Sequence, residues 1–418
     1  MKTFLILTLM IASPFFGSCA AQKIAVNENP DSNERKAVQL DEAQQTYVEA
    51  GNDFAFRFLT LIDENEQKDW FVSPLSLQFL LGLVLDGARN ETAAEICRTL
   101  GYPAGQSEAV DAYCRKMLDA LPSLDKTTKL SLANAIFFNQ EMKIQTPYKK
   151  RVEKAYDAEV ESLDFRQKQA SLNVINGWCS KQTNGLIPSV LDDVDPGMFA
   201  YLLNALYFKG SWMYPFNKRY TEKRTFTLES GEKKQIPMMM KERKYAYREN
   251  EAFQCVRLPY GNGAYSMVVL LPKKGHTVSE LISLLNAENW KELRSHMSGN
   301  TLINVWLPPF ESKYHIKLND ILSTMGMPRS FGPKADFKDM SKDALWLSFV
   351  QQDAVIKVDE EGTEAAAVTS AGMVGATAVA QPPRVIDFHA DHPFLYLITE
   401  ASTGAILFAG KFSGKSKE

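Results

Sequence analysis

Glu360-Glu361-Gly362-Thr363-Glu364-Ala365-Ala366-Ala367-Val368-Thr369-Ser370-Ala371 is a run of small residues in a chain otherwise well supplied with bulky ones. From Thr363 to Ala380 there is no proline, no basic residue and no aromatic. Read with period two, Thr363, Ala365, Ala367, Thr369 and Ala371 share one face, and all are small. Such a segment can enter the middle of an existing sheet without a clash. It can equally stand off the body as a loop, because it buries too little apolar area to fold alone. Composition by itself favours the second reading, a flexible linker.

The rest of the chain supplies the context. Its 418 residues would suggest two or three domains by length. No Pro/Gly/Ser-rich linker divides it and no internal repeat is visible, so one large domain is an open alternative. A net charge of −3 argues against broad electrostatic attraction to nucleic acid or to an anionic membrane. The densest basic cluster, Lys149-Lys150-Arg151 with Lys154, is interleaved with Glu153, Asp157 and Glu159 and reads as a solvated helix face.

The N-terminus reads as a processing signal. Lys2 precedes an apolar run from Phe4 to Phe16, too short for a membrane span, which needs about 20 residues. It ends in Gly17-Ser18-Cys19, which resembles a bacterial lipoprotein signal with Cys19 as the lipidated residue. An ordinary secretory signal cleaved near Ala20 or Ala21 is the other reading. Residues 1–19 are therefore expected to be a signal, 20–45 a flexible polar tether, and 46–418 one domain. The expected location is the cell envelope through a lipid at Cys19, or the exterior if Cys19 is not lipidated. Cys97, Cys114, Cys179 and Cys255 form no metal-binding pattern. An exported chain can pair them, but a domain this size needs no staples, and unpaired buried thiols are expected.

Amphipathic or apolar helices are predicted around Phe54–Ile62, from Ser73-Pro74 to Leu85, from Thr92 to Leu100 and from Leu172 to Gln182. Leu130–Asn139 and Met198–Phe208 read as strands buried on both faces. Gly261-Asn262-Gly263 between two apolar runs is a hairpin signal. Further strands are predicted at Leu302–Leu307, Leu347–Lys357, Pro393–Glu400 and Ala405–Phe412. Helices cluster early and strands late, which argues for an α+β protein with mainly antiparallel sheets. No enzyme signature accompanies them. The five histidines form no His-Glu-x-x-His pair, no Gly-x-Ser-x-Gly elbow occurs, and Gly404 to Lys411 has the wrong spacing for a phosphate loop.

Several segments, taken in order, match a known pattern: Phe71-Val-Ser-Pro-Leu-Ser76, Leu81-Gly-Leu-Val-Leu-Asp-Gly-Ala88, Leu130-Ser-Leu-Ala-Asn-Ala135 and Thr183-Asn-Gly-Leu-Ile187. They continue with Leu203-Asn-Ala-Leu-Tyr-Phe-Lys-Gly-Ser-Trp212, Phe388-His-Ala-Asp-His-Pro-Phe-Leu-Tyr-Leu-Ile398 and Gly404-Ala-Ile-Leu-Phe-Ala-Gly410. The chain resembles the serpins over about residues 46–414. The resemblance implies three mainly antiparallel β-sheets, eight or nine helices and an exposed reactive-centre loop at about 360–385. It implies a monomeric suicide inhibitor of a serine protease, with no cofactor. The cleaved loop would enter the central sheet as a new strand and carry the acylated protease with it. A non-inhibitory serpin, cleaved as a substrate, is the alternative; such proteins commonly break the small-residue pattern that this chain keeps.

Carried over residue by residue, the loop hinge is Glu360, Gly362, Thr363, Glu364, Ala365, Ala366 and Ala367. Ser73, Ser76 and Asn204 match positions beneath the sheet where it parts, with helix capping by the serines as the simpler reading. Trp212 matches an aromatic at the hinge end, or is a core tryptophan. Gln352 departs from the histidine usual beneath the sheet; its amide can replace the hydrogen bonds but does not titrate. Pro309 stands where a basic partner for Glu360 is usual.

Counting the family's inserted length forward from Gly362 puts the reactive bond at Ala376-Thr377. A backward count from Pro393 gives Pro382, so the loop is extended on its C-terminal side, and the forward count follows the mechanical constraint. No basic residue lies between Lys357 and Arg384, and only Met373 suits a chymotrypsin-like pocket. Val374 and Ala376 suit an elastase-like pocket. Papain-like cysteine proteases are a second expected target class.

Overall fold

The computed structural model describes residues 33–363 and 385–415. The expected signal with Cys19, loop residues Glu364, Ala365, Ala366 and Ala367, and the Ala376-Thr377 bond lie outside them. Among the described residues fifteen strands run in chain order as β1 (Trp70–Val72), β2 (Lys129–Asn139), β3 (Glu159–Leu163), β4 (Ala200–Ser211), β5 (Glu222–Thr227), β6 (Lys233–Glu249), β7 (Phe253–Tyr260) and β8 (Tyr265–Pro272). They continue as β9 (Ser298–Leu307), β10 (Phe310–Lys317), β11 (Val350–Val358), β12 (Gly362–Thr363), β13 (Val385–His389), β14 (Phe394–Glu400) and β15 (Ile406–Phe412). The described residues form nine α-helices: α1 (Glu42–Asn65), α2 (Pro74–Leu85), α3 (Asn90–Leu100), α4 (Ser107–Ala120), α5 (Thr146–Tyr156), α6 (Lys168–Gln182), α7 (Val278–Ser283), α8 (Ala287–Ser295) and α9 (Asn319–Thr324).

The central sheet has the order β10-β11-β12-β4-β2-β3, and β11 also pairs directly with β4. A second array runs β1-β15-β14-β8-β7-β6-β9-β13, with β5 on β6. Only the β4–β11, β2–β3 and β9–β13 pairings among these strands are parallel. The long strand β6 pairs with β5 at one end, β9 in its middle and β7 at the other end, so two of the three expected sheets are continuous through it.

The local reasons follow the residues. Every residue of α2 is buried, as a helix apolar all round must be. Pro74 occupies its first turn, and the Ser73 hydroxyl caps it by accepting from Ser76 N. This helix packs between the central sheet and β15. On the other face of the sheet, Ile175, Trp178 and Cys179 of α6 cover Phe137, Tyr201, Leu203 and Ala205. Strands β2 and β4 are therefore covered on both faces over most of their length, which is why their sequences run nearly continuously apolar.

Cys97, Cys114, Cys179 and Cys255 are buried and free. The last residues of the stretch 20–45 are docked on the domain. Val38 is buried, its N–H donates to Ser402 Oγ at 3.0 Å, and α1 starts at Glu42 behind an Asp41–Gln44 capping box. One apolar residue amid polar neighbours is enough to dock a segment whose composition reads as a linker.

Candidate functional site

The site is a seam between two parallel strands that has begun to part. From Val350↔Leu202 to Val355↔Tyr207, β11 and β4 pair directly. Above that point β12 stands between them, antiparallel to both, with Thr363 opposite Val358 on one side and Gly210 on the other. The hinge is thus already two residues into the sheet.

The turn that delivers it is tightly bonded. Asp359 Oδ1 accepts from Glu361 N at 2.9 Å and Gly362 N at 3.2 Å. Trp212 N donates to Glu361 O and Phe216 N to Glu360 O. The Trp212 indole N–H donates to Asp359 O at 2.9 Å. Gly362 is required by close approach: a Cβ there would sit 2.7 Å from Ser211 Cα and against Gly210 O, both backbone atoms that cannot yield.

Thr363 is fully buried, and its hydroxyl lies 2.7 Å from the Tyr260 hydroxyl. The Tyr260 ring stacks on Trp212 at 4.4 Å and 9°. Burial raises the Tyr260 phenol above its ordinary range, and the bond to Thr363 pulls the other way. Glu360 accepts from Thr221 Oγ1 at 2.7 Å, and the nearby Lys218 feels its charge. Lys218 pairs with Glu361 at 2.8 Å on the surface, where such a pair contributes little.

Lower in the seam lies a row of amides. Asn134, Asn204 and Gln352 are in register on β2, β4 and β11. Gln352 Nε2 donates to Asn204 Oδ1 at 2.8 Å, and Asn204 Nδ2 to Asn134 Oδ1 at 2.7 Å. Asn204 Nδ2 also donates to Ser76 Oγ at 2.6 Å. Gln352 ties the row to α2, accepting from Ser73 N at 2.8 Å and donating to Ser73 O at 3.0 Å. Ser73 Oγ donates onward to Leu407 O on β15 at 2.6 Å. Ser73 therefore caps the helix and reaches β15, while the Ser76 hydroxyl binds Asn204 of the central sheet. Parting β4 from β11 must break the Gln352–Asn204 bond.

Ser73, Ser76, Asn204 and Gln352 come together in one network, while Trp212, Glu360, Gly362 and Thr363 meet at the hinge end. Sequence reasoning missed Asn134, Tyr260, Thr221 and Asp359. Asn134 carried a signal, as a lone amide inside the apolar run of β2. Tyr260 carried only its place before a hairpin turn.

A family model described as "Serpin (serine protease inhibitor)" matches residues 49–414. Iripin-3 of Ixodes ricinus is 35% identical over 374 residues, covering 87% of this chain and 93% of the relative. The chain is a serpin. An uncharacterized serpin-like protein of Methanosarcina mazei is 29% identical over 97% of this serpin and 96% of its own length. Among solved structures, the thermophilic serpin tengpin in its native state superposes with a TM-score of 0.80 at 29% identity, covering 91% of this chain and 97% of that one. Human thyroxine-binding globulin complexed with thyroxine reaches 0.81 at 26% identity, covering 90% and 100%. Serpins are in general protease inhibitors rather than enzymes, but the fold alone admits other work, so the inhibitory reading has to come from the loop and the seam.

Proposed function

We propose that this serpin is a suicide inhibitor of serine proteases, with an elastase-like preference for a small aliphatic residue. The protease serine attacks the Ala376 carbonyl, the Ala376–Thr377 peptide bond breaks, and the new amine leaves with a proton. An ester joins Ala376 to the enzyme. Insertion of the freed loop then competes with water for that ester.

The observation that carries this reading is β12, a small-residue wedge already paired on both sides within the central sheet. Continued in the same register, Ala365 would follow between Phe208 and Ile356 on the inner face. Glu364 would fall on the outer face between Lys209 and Lys357, where its charge is matched. Thr369 would arrive between Asn204 and Gln352, offering a hydroxyl to the amides it separates. No position in that frame buries an unmatched charge.

The test is to mix the purified protein with pancreatic elastase and run a denaturing gel. A band at the summed mass that survives detergent is expected, and the mass of the released fragment fixes the bond. Complete cleavage without such a band overturns inhibition and leaves a substrate-type serpin.

A further inference from the structure

We propose that Tyr260 is a register post for loop insertion, its buried hydroxyl selecting Thr363 and so setting the frame in which every later residue enters the sheet. This rests on the inhibitory reading above and adds to it a positioning residue outside the loop and both seam strands.

Frame is a real hazard here. A strand entering between two others can slip, and a slip by one residue turns every side chain to the opposite face. The small residues of the loop tolerate that sterically, so sterics alone do not fix the frame. A buried hydroxyl that must find one partner does. Gly362 in place of Thr363 would offer no side chain, and Glu364 would bring a carboxylate into a dry pocket. A slip by two keeps the face but brings Ala365, which leaves the phenol unsatisfied.

Tyr260 is built to be rigid. Its ring is clamped between Trp212 and an edge contact with Phe208 at 5.2 Å. Its strand end is tied to β4 by Gly261 N donating to Ser211 O at 2.8 Å and Met213 N to Pro259 O at 2.9 Å. Trp212 is itself pinned to the turn before the hinge through Asp359 O. Gly210, the β4 residue opposite Thr363, keeps the passage open: a Cβ there would lie 3.1 Å from the Tyr260 ring.

The experiment measures partition with elastase, as the ratio of covalent complex to cleaved chain, because ester hydrolysis clocks insertion. Tyr260→Phe keeps the stack and removes the hydroxyl; Thr363→Val removes the other half of the bond. Each should lower the ratio about threefold to tenfold, the range expected for one net hydrogen bond. The double variant should fall no further than either single, and Thr363→Ser should retain the parental ratio. The thermal midpoint of intact Thr363→Ser serves as the folding control. Parental partition in both Tyr260→Phe and Thr363→Val, or additive losses in the double variant, overturns the post while leaving inhibition standing. A parental chain that neither traps elastase nor gains heat resistance on cleavage overturns both.

Discussion

Asp353 shows what one side chain on the seam can do. It lies on β11 beside Gln352 but faces the opposite way, towards α6, and is buried. Its one close partner, Gln351 Nε2 at 2.7 Å, is neutral. Burial pushes its carboxyl up from 3.8 to about 7, and Cys179 of α6, whose thiol is pushed up to about 12, feels its charge. His315 is its register partner on β10 but is exposed. A carboxyl whose folded value exceeds its unfolded one holds its proton more tightly in the folded state. Its contribution is therefore full below about pH 4 and is lost as pH rises through about 7. Asp353→Asn should raise the denaturant midpoint at pH 8, by up to about 4 kcal/mol of stability, with the gain shrinking towards pH 5. Equal midpoints for both proteins at pH 8 would contradict this. Arg151 makes the related point that charge runs mislead: read as a solvated face, it reaches Asp111 at 2.7 Å and Asp86, whose carboxylate is buried, at 2.9 Å.

At the scale of an element, β12 is held by geometry as much as by bonds. Gly362→Ala would drive a methyl into the backbone of β4, so the hinge must leave the sheet or the sheet must distort. A loss of about 1–3 kcal/mol is expected for the intact chain, read as a lower urea midpoint. An unchanged midpoint would mean that the wedge is not populated. Part of this element was legible beforehand: Gly362 and Thr363 are small enough to be buried in a sheet, and the apolar runs of β2 and β4 mark the sheet that holds them, while Ala365 and Ala367 lie outside the described residues. The extent of insertion was not legible, because it depends on Tyr260, more than a hundred residues away in sequence. Thr221 answering Glu360 was hidden for the same reason, since a hydroxyl partner leaves no pattern where a basic one would. Helix α2 was readable from its serine, proline and apolar stretch. The reach of β6 through two sheets was not, since its alternation looks the same against either neighbour.

Across the whole molecule, the proposed insertion would trade one arrangement of the chain for another at the seam. Direct β4–β11 pairing covers six residue positions below the wedge, and the amide row ties both strands to α2 and onward to β15. Full insertion as proposed would exchange that parallel pairing for two antiparallel ones, a net gain of ladder. The loop-cleaved protein should therefore melt well above the intact one in a calorimeter, and equal midpoints would show that the loop stays out.

The four buried thiols have a consequence of another kind. No covalent tie among the described residues crosses the parting strands, so the rearrangement has nothing to cut or stretch first. Reductant finds no bond to open, and oxidant finds these sulfurs shielded. Among the described residues the seam is held by hydrogen bonds and packing with no disulfide, so the proposed insertion should be indifferent to the redox state of the medium.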